Sequence, residues 1–247
     1  MPGYARHHMR KVLFLTLTLL AIAVADASAA NPCVRPVPKQ PPSATLLGQL
    51  GVLRAPATTD DRAPRDMLEG EGRPYDGAMR RVPLAIGGWV WVVPLYDVSG
   101  RESPTEACIR SAPPKLRRYL RRLKRAARGI ARQEGLAISV YDAHGESHGG
   151  ANGSIVHVRE GTFVHFDGAD ADRRTRVIGL VPDGVASVRI GLDDLDTGKP
   201  KRVAETSAPV AENVFGVEVD VPFRGAFEAD VTFLDAAGTV IGPEKPR

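Results

Sequence analysis

Arg176 to Leu192 reads RVIGLVPDGVASVRIGL, two apolar runs either side of Pro182-Asp183-Gly184. Pro presets φ for a tight turn and Gly accepts the positive φ that follows, so this tripeptide predicts a chain reversal between two extended segments. In Val185 to Leu192 the apolar residues Val188, Ile190 and Leu192 recur at every second position, the period of a half-buried strand. Working outward, Asn213 to Val221 alternates in the same way. Phe227 to Leu234 pairs naturally with Thr239 to Ile241 across Asp235-Ala236-Ala237-Gly238. Short strands at this spacing predict an antiparallel, sandwich-like β unit from about Arg176 to the C-terminus.

Upstream, Thr162 to Phe166 reads as a strand, and Leu136 to Asp142 and Ser154 to Glu160 read as paired strands around the loop AHGESHGGANG. Arg81 to Tyr96, RVPLAIGGWVWVVPLY, is a hairpin broken at Gly87-Gly88. Trp89, Trp91, Val93 and Leu95 share one face of its second run. Two tryptophans so spaced suit a stacking platform, but the aliphatic residues that continue the face favour core packing.

Lys115 to Glu134, KLRRYLRRLKRAARGIARQE, has the other period. Wound at 100° per residue, Leu116, Tyr119, Leu120, Leu123, Ala126, Ala127, Ile130 and Ala131 form a stripe roughly 140° wide. The remaining circumference carries nine cations, Lys115, Arg117, Arg118, Arg121, Arg122, Lys124, Arg125, Arg128 and Arg132, against Glu134 alone. Pro113 and Pro114 suit the first turn and Gly135 the C′ position, so a long basic amphipathic helix is expected here.

The first thirty residues read as an export signal: Arg6, Arg10 and Lys11, then an apolar Val12 to Val24, then Ala27-Ser28-Ala29. The apolar run is shorter than the ~20 residues a spanning helix needs. A cleaved signal peptide and a secreted or extracytoplasmic protein are therefore expected. The whole chain of 247 residues has a formal charge of +4, and the helix concentrates the positive part, leaving the rest of the mature chain net acidic. Cys33 and Cys108 are the only cysteines, and in an oxidising compartment a single disulfide between them is the simplest expectation. The organisation expected is a signal peptide over 1–30, a Pro-rich arm over 31–42, an α+β part over 43–135 and an antiparallel β part over 136–247. Within the α+β part, Ser43 to Leu53 is a short amphipathic helix capped by Ser43.

VIGLVPDGVASVRI, AENVFGVEV and VTFLDAAGTVIG together resemble the C-terminal part of functionally uncharacterised secreted proteins of high-GC actinobacterial type, and Leu46 to Leu53 resembles their N-terminal LGVL stretch. The resemblance implies an exported protein and no particular activity.

Chemistry is sought in three places. Arg117, Arg118, Arg121, Arg122, Arg125, Arg128 and Arg132 offer planar donors to phosphate on an anionic polymer or membrane surface; the competing reading is a solvated or internally paired face. Asp142, His144, Glu146 and His148, with His157 downstream, hold donors suited to a divalent metal, yet polar residues in an exposed turn need none. Asp167, Asp170 and Asp172, with Asp193, Asp194 and Asp196, supply the oxygens of a calcium-binding turn without the spacing of an EF-hand, since Ile178 stands where the bidentate Glu belongs. No G-x-S-x-G, H-E-x-x-H, Walker loop or G-x-G-x-x-G after a strand occurs. No catalytic or metal residue and no cofactor are assigned. The reading that results is a non-enzymatic binding or structural protein at the cell envelope, whose partner is an anionic polymer or membrane surface, with no specific nucleic acid. The alternative is a small secreted enzyme, metal-dependent and built on the His144/Glu146/His148 loop.

Overall fold

A computed structural model describes residues 40–61, 74–75, 77–98, 104–126, 133–169, 173–196, 199–223 and 226–243. The fold is α+β, mostly antiparallel strands in two sheets. The chain divides into two compact units, Val37–Arg101 with Ile130–Arg247, and Met1–Pro36 with Glu102–Gly129.

The larger unit opens with two single turns of helix, α1 (Ala44–Leu47) and α2 (Gly51–Arg54), where one helix is expected. Ser43 caps the first as anticipated, its hydroxyl accepting from Leu46 N. A four-stranded sheet follows in the order β1 (Arg80–Pro83), β2 (Trp89–Leu95), β3 (Gly135–Tyr141), β4 (Ser147–Ser154). Gly87 and Gly88, at φ 89° and 74°, turn β1 into β2.

The β3–β4 pairing departs from expectation. The glycine-rich stretch is the strand itself, and Ile155–Arg159 is a short helix, α3. A pattern of alternating side chains is invisible where the chain has so few of them. Gly150 is required by close approach, since a Cβ there would lie 1.9 Å from the Ile138 carbonyl oxygen. Ser154 and His157 form the reciprocal capping box that starts the helix.

The second sheet has seven strands in the order β11-β10-β7-β8-β9-β6-β5: β5 (Val164–Ala169), β6 (Arg174–Leu180), β7 (Ser187–Asp194), β8 (Lys201–Ala211), β9 (Val214–Val219), β10 (Phe227–Leu234) and β11 (Val240–Gly242). β8, absent from the sequence reading, pairs with β7 over most of its length and with β9 only through Val210 and Ala211. One apolar cluster joins Val188, Ile190 and Leu192 of β7 and Val231 and Phe233 of β10 to Val177 of β6 and Phe215 of β9. The sheet therefore encloses a core between its two halves, a sandwich-like arrangement.

β6 is buried on both faces. Val177 enters this core while Ile178 and Leu180 face the other way, into a second core with Val90 and Val92 of β2, Leu136, Ile138 and Val140 of β3, and Leu46, Leu50, Val52 and Leu53. Gly179 lies opposite Phe215, whose ring sits 2.6 Å from where a Cβ would be. Trp91, Val93 and Leu95 fill a third cluster on the far face of β2, as core packing requires.

One knot ties the N-terminal turns to the β strands. Asp183 Oδ1, in the Pro-Asp-Gly turn, accepts from Gly51 N at 2.6 Å and from Asn213 Nδ2 at 2.9 Å. Arg54 pairs with Asp183 Oδ2 at 2.7 Å, and Val52 N donates to Asn213 Oδ1 at 2.9 Å. Glu212 and Asn213, at φ 50° and 65°, form the two-residue hairpin turn between β8 and β9. The LGVL, PDG and ENVF stretches thus meet at one point.

In the smaller unit the described elements are α4 (Glu106–Ser111) and α5 (Pro114–Ala126). The long helix expected over Lys115 to Glu134 is corrected: α5 ends at Ala126 in the described chain, 127–132 lie outside the described residues, and Gln133 and Glu134 are not helical. Glu134 is instead drawn into the larger unit, accepting from Ser43 N at 2.8 Å, from Ser43 Oγ and from Tyr75 Oη at 2.7 Å. Gly135 is not a helix C′ residue but the first of β3, where a Cβ would lie 2.4 Å from the Gly153 carbonyl oxygen.

Candidate functional site

The basic helix is set up by its predecessor. Thr105 caps α4, accepting from Cys108 N at 2.9 Å, and Ala112 leaves the helix in an extended conformation. The residue before a proline is biased against helical ψ, so Pro113 and Pro114 enforce the break, and Pro113 O then accepts from Leu116 N and Arg117 N to start α5. Arg117 Nε donates back to Ala112 O at 2.7 Å, covering a carbonyl that the break left open. Lys124 reaches Glu106 at 2.5 Å, and this bond holds the Glu106 carboxyl below its ordinary range.

These two cations are taken up in joining the helices. Lys115, Arg118, Arg121, Arg122 and Arg125 make no ion pair among the described residues, and all five are exposed. Arg128 and Arg132 lie outside the described residues. The described part of the apolar stripe, which from sequence should need burial, is largely exposed. No residue of α5 is buried; Leu116, Tyr119 and Leu123 are 48%, 57% and 38% exposed, and Leu120 is half-buried. Cys108 is buried and is not a free thiol; its expected partner Cys33 lies outside the described residues.

The histidine segment is arranged by Asp142. Its Oδ1 accepts from His144 N at 2.8 Å and Glu146 N at 2.9 Å, folding the turn between β3 and β4. The Glu146 amide is the main reason its carboxyl falls to about 2, with His148 and the His144 amide adding to the effect. His144 and Glu146 are left exposed, contributing backbone rather than side chain. His148 stands between two carboxylates, Nε2 3.3 Å from Asp142 Oδ2 and Nδ1 3.9 Å from Asp167 Oδ2. Asp167 is in turn held in a buried bidentate pair with Arg176, its cross-strand neighbour, at 2.7 and 2.8 Å. His165 Nε2 lies 3.0 Å from His148 O. His157 is elsewhere, its Nδ1 accepting from Ser154 N at 3.1 Å.

His144, Glu146, His148 and His157 are thus not brought together. No group of three or more His, Cys, Asp or Glu placed to hold a metal occurs among the described residues. The acidic turns have other work as well: Asp193 pairs with Arg202 at 2.6 Å, and Asp196 accepts from Ala226 N at 3.2 Å. Asp170 and Asp172 lie outside the described residues. Trp89 stacks on Tyr141, rings 2° from parallel and 5.7 Å apart, and Arg81 lies 3.9 Å over it, so the indole is already flanked.

No family model, curated protein or solved structure matches this chain. Function is therefore written only in the sites themselves. The histidine network is closed by its own ion pairs and turn bonds. Among the described residues α5 presents Lys115, Arg118, Arg122 and Arg125 without an ion pair and Leu116, Tyr119 and Leu123 exposed, and sequence could not have separated this from a packed helix, because the same stripe serves both.

Proposed function

We propose that this is an exported, non-enzymatic protein of the cell envelope that binds phosphate-bearing anionic surfaces through α5. Its signal segment, residues 1–30, is removed on export, and Cys33 bonds to Cys108. The observation that carries the reading is the exposure of Lys115, Arg118, Arg122 and Arg125 on one helix with no ion pair among the described residues, while Arg121 shares Glu106 at longer range with Lys124. Guanidinium groups left in water retain their full capacity to pair with phosphate oxygens, two donors at a time. No helix of the described residues is long and apolar enough to cross a membrane, so attachment by charge is the route these residues offer.

The test is binding of the secreted, processed chain to inorganic polyphosphate and to phosphatidylglycerol-containing vesicles at increasing salt. A variant with Arg118, Arg121, Arg122 and Arg125 changed to Gln keeps the helix and removes four charges. At about 1 kcal/mol per cation near an anionic surface, the variant should lose close to a thousandfold in vesicle affinity at low salt. Equal binding by the two proteins, with equal circular dichroism, refutes the proposal.

A further inference from the structure

The anionic surface, we infer, is a lipid bilayer, into whose headgroup region Leu116, Tyr119 and Leu123 insert; this rests on the charge reading above and goes beyond it. The three side chains are the large exposed hydrophobics of the helix among the described residues. At 100° per residue they lie within about 60° of arc; Lys115 and Arg122 border one edge within a further ~60°, and half-buried Leu120 continues the other edge to Lys124. Hydrocarbon flanked by cations is the layout of a helix lying in a membrane interface, with acyl chains below and phosphates alongside. Tyr119, the most exposed, has an apolar ring and a polar hydroxyl, which suits headgroup depth.

The other occupants fit less well. A soluble polyanion would neutralise the cations and leave the apolar strip in water. A second copy of the helix would cover the strip but bring two cationic borders together. A bilayer carrying acidic lipid satisfies both halves of the surface. The described helix, Pro114–Ala126, has 13 residues, about 20 Å at 1.5 Å per residue, against a hydrocarbon core of ~30 Å, and its strip of exposed hydrocarbon along one side suits a helix lying in the interface plane.

Two variants of the secreted, processed chain separate this from binding by charge alone. L116Q/Y119Q/L123Q keeps every cation; it should bind polyphosphate as wild type does and lose at least tenfold in affinity for phosphatidylglycerol vesicles. Y119W should show added fluorescence that is quenched by vesicles brominated on the acyl chains and not by polyphosphate. If L116Q/Y119Q/L123Q binds vesicles as tightly as wild type, or Y119W is not quenched, insertion is wrong while attachment by charge stands. If wild type binds polyphosphate but not vesicles, the bilayer is wrong. If it binds neither, the proposed function fails and this inference with it.

Discussion

Changing Asn213 tests whether the knot between the N-terminal turns and the β strands supports the fold. Its side chain makes three hydrogen bonds: Oδ1 accepts from Val52 N at 2.9 Å, and Nδ2 donates to Val181 O at 3.2 Å and to Asp183 Oδ1 at 2.9 Å. Asn213 is 8% exposed and Val52 4%, so water replaces these bonds poorly. At about 1 kcal/mol net per bond, N213G should cost about 3 kcal/mol. Glycine accepts the φ of 65° freely, whereas N213A adds a left-handed Cβ, worth about another 1 kcal/mol. Urea unfolding followed by the emission of Trp89 and Trp91 reads both changes from within the same unit. N213G within about 0.5 kcal/mol of wild type would refute the energetic role of the knot, a margin well below one net hydrogen bond. N213A no worse than N213G would refute the strained turn.

Two further outcomes follow from the larger unit. G87A should cost about 1–2 kcal/mol, since only its positive φ resists a Cβ, while G88A should cost clearly more, because its Cβ would fall 2.1 Å from the Tyr141 carbonyl oxygen; equal midpoints for the two would contradict the turn geometry. Asp142, with a folded-state carboxyl at about 2 against an ordinary 3.8, adds stability that is complete above the ordinary value and is lost as pH falls through the folded one. Wild type should therefore be more stable than D142N at pH 5 and converge with it near pH 2, and a gap that does not change with pH would sink the assignment.

Turn chemistry was the most legible part of the chain. Gly87-Gly88, Pro182-Asp183-Gly184 and the strands beside them announce themselves because glycine and proline restrict the backbone whatever surrounds them. β4 and β8 hide for opposite reasons. One is rich in glycines, of which Gly150 lets the β3 backbone approach, so it lacks side chains to alternate. The other is mostly exposed, with Lys201, Arg202 and Glu205 along it, so its faces differ little in polarity. Glu134 continues the helical pattern in sequence, but Ser43 and Tyr75, distant in the chain, give its carboxylate better partners than solvent. At the candidate site, the two faces of α5 were readable from spacing. Whether the apolar one is covered is a property of the tertiary structure, and no local pattern encodes it.

β6 poses a copying problem that its neighbours solve. With apolar residues on both sides, a one-residue slip would exchange Val177 for Ile178 and expose no hydrocarbon, so polarity cannot proofread its alignment. Two residues act as check digits. Gly179 must fall beneath the Phe215 ring, and Arg176 must emerge opposite Asp167; a shifted strand would drive a side chain into the ring and strand both charges at once. The strand shared by both cores is thereby kept in frame by its smallest member and one of its charged ones.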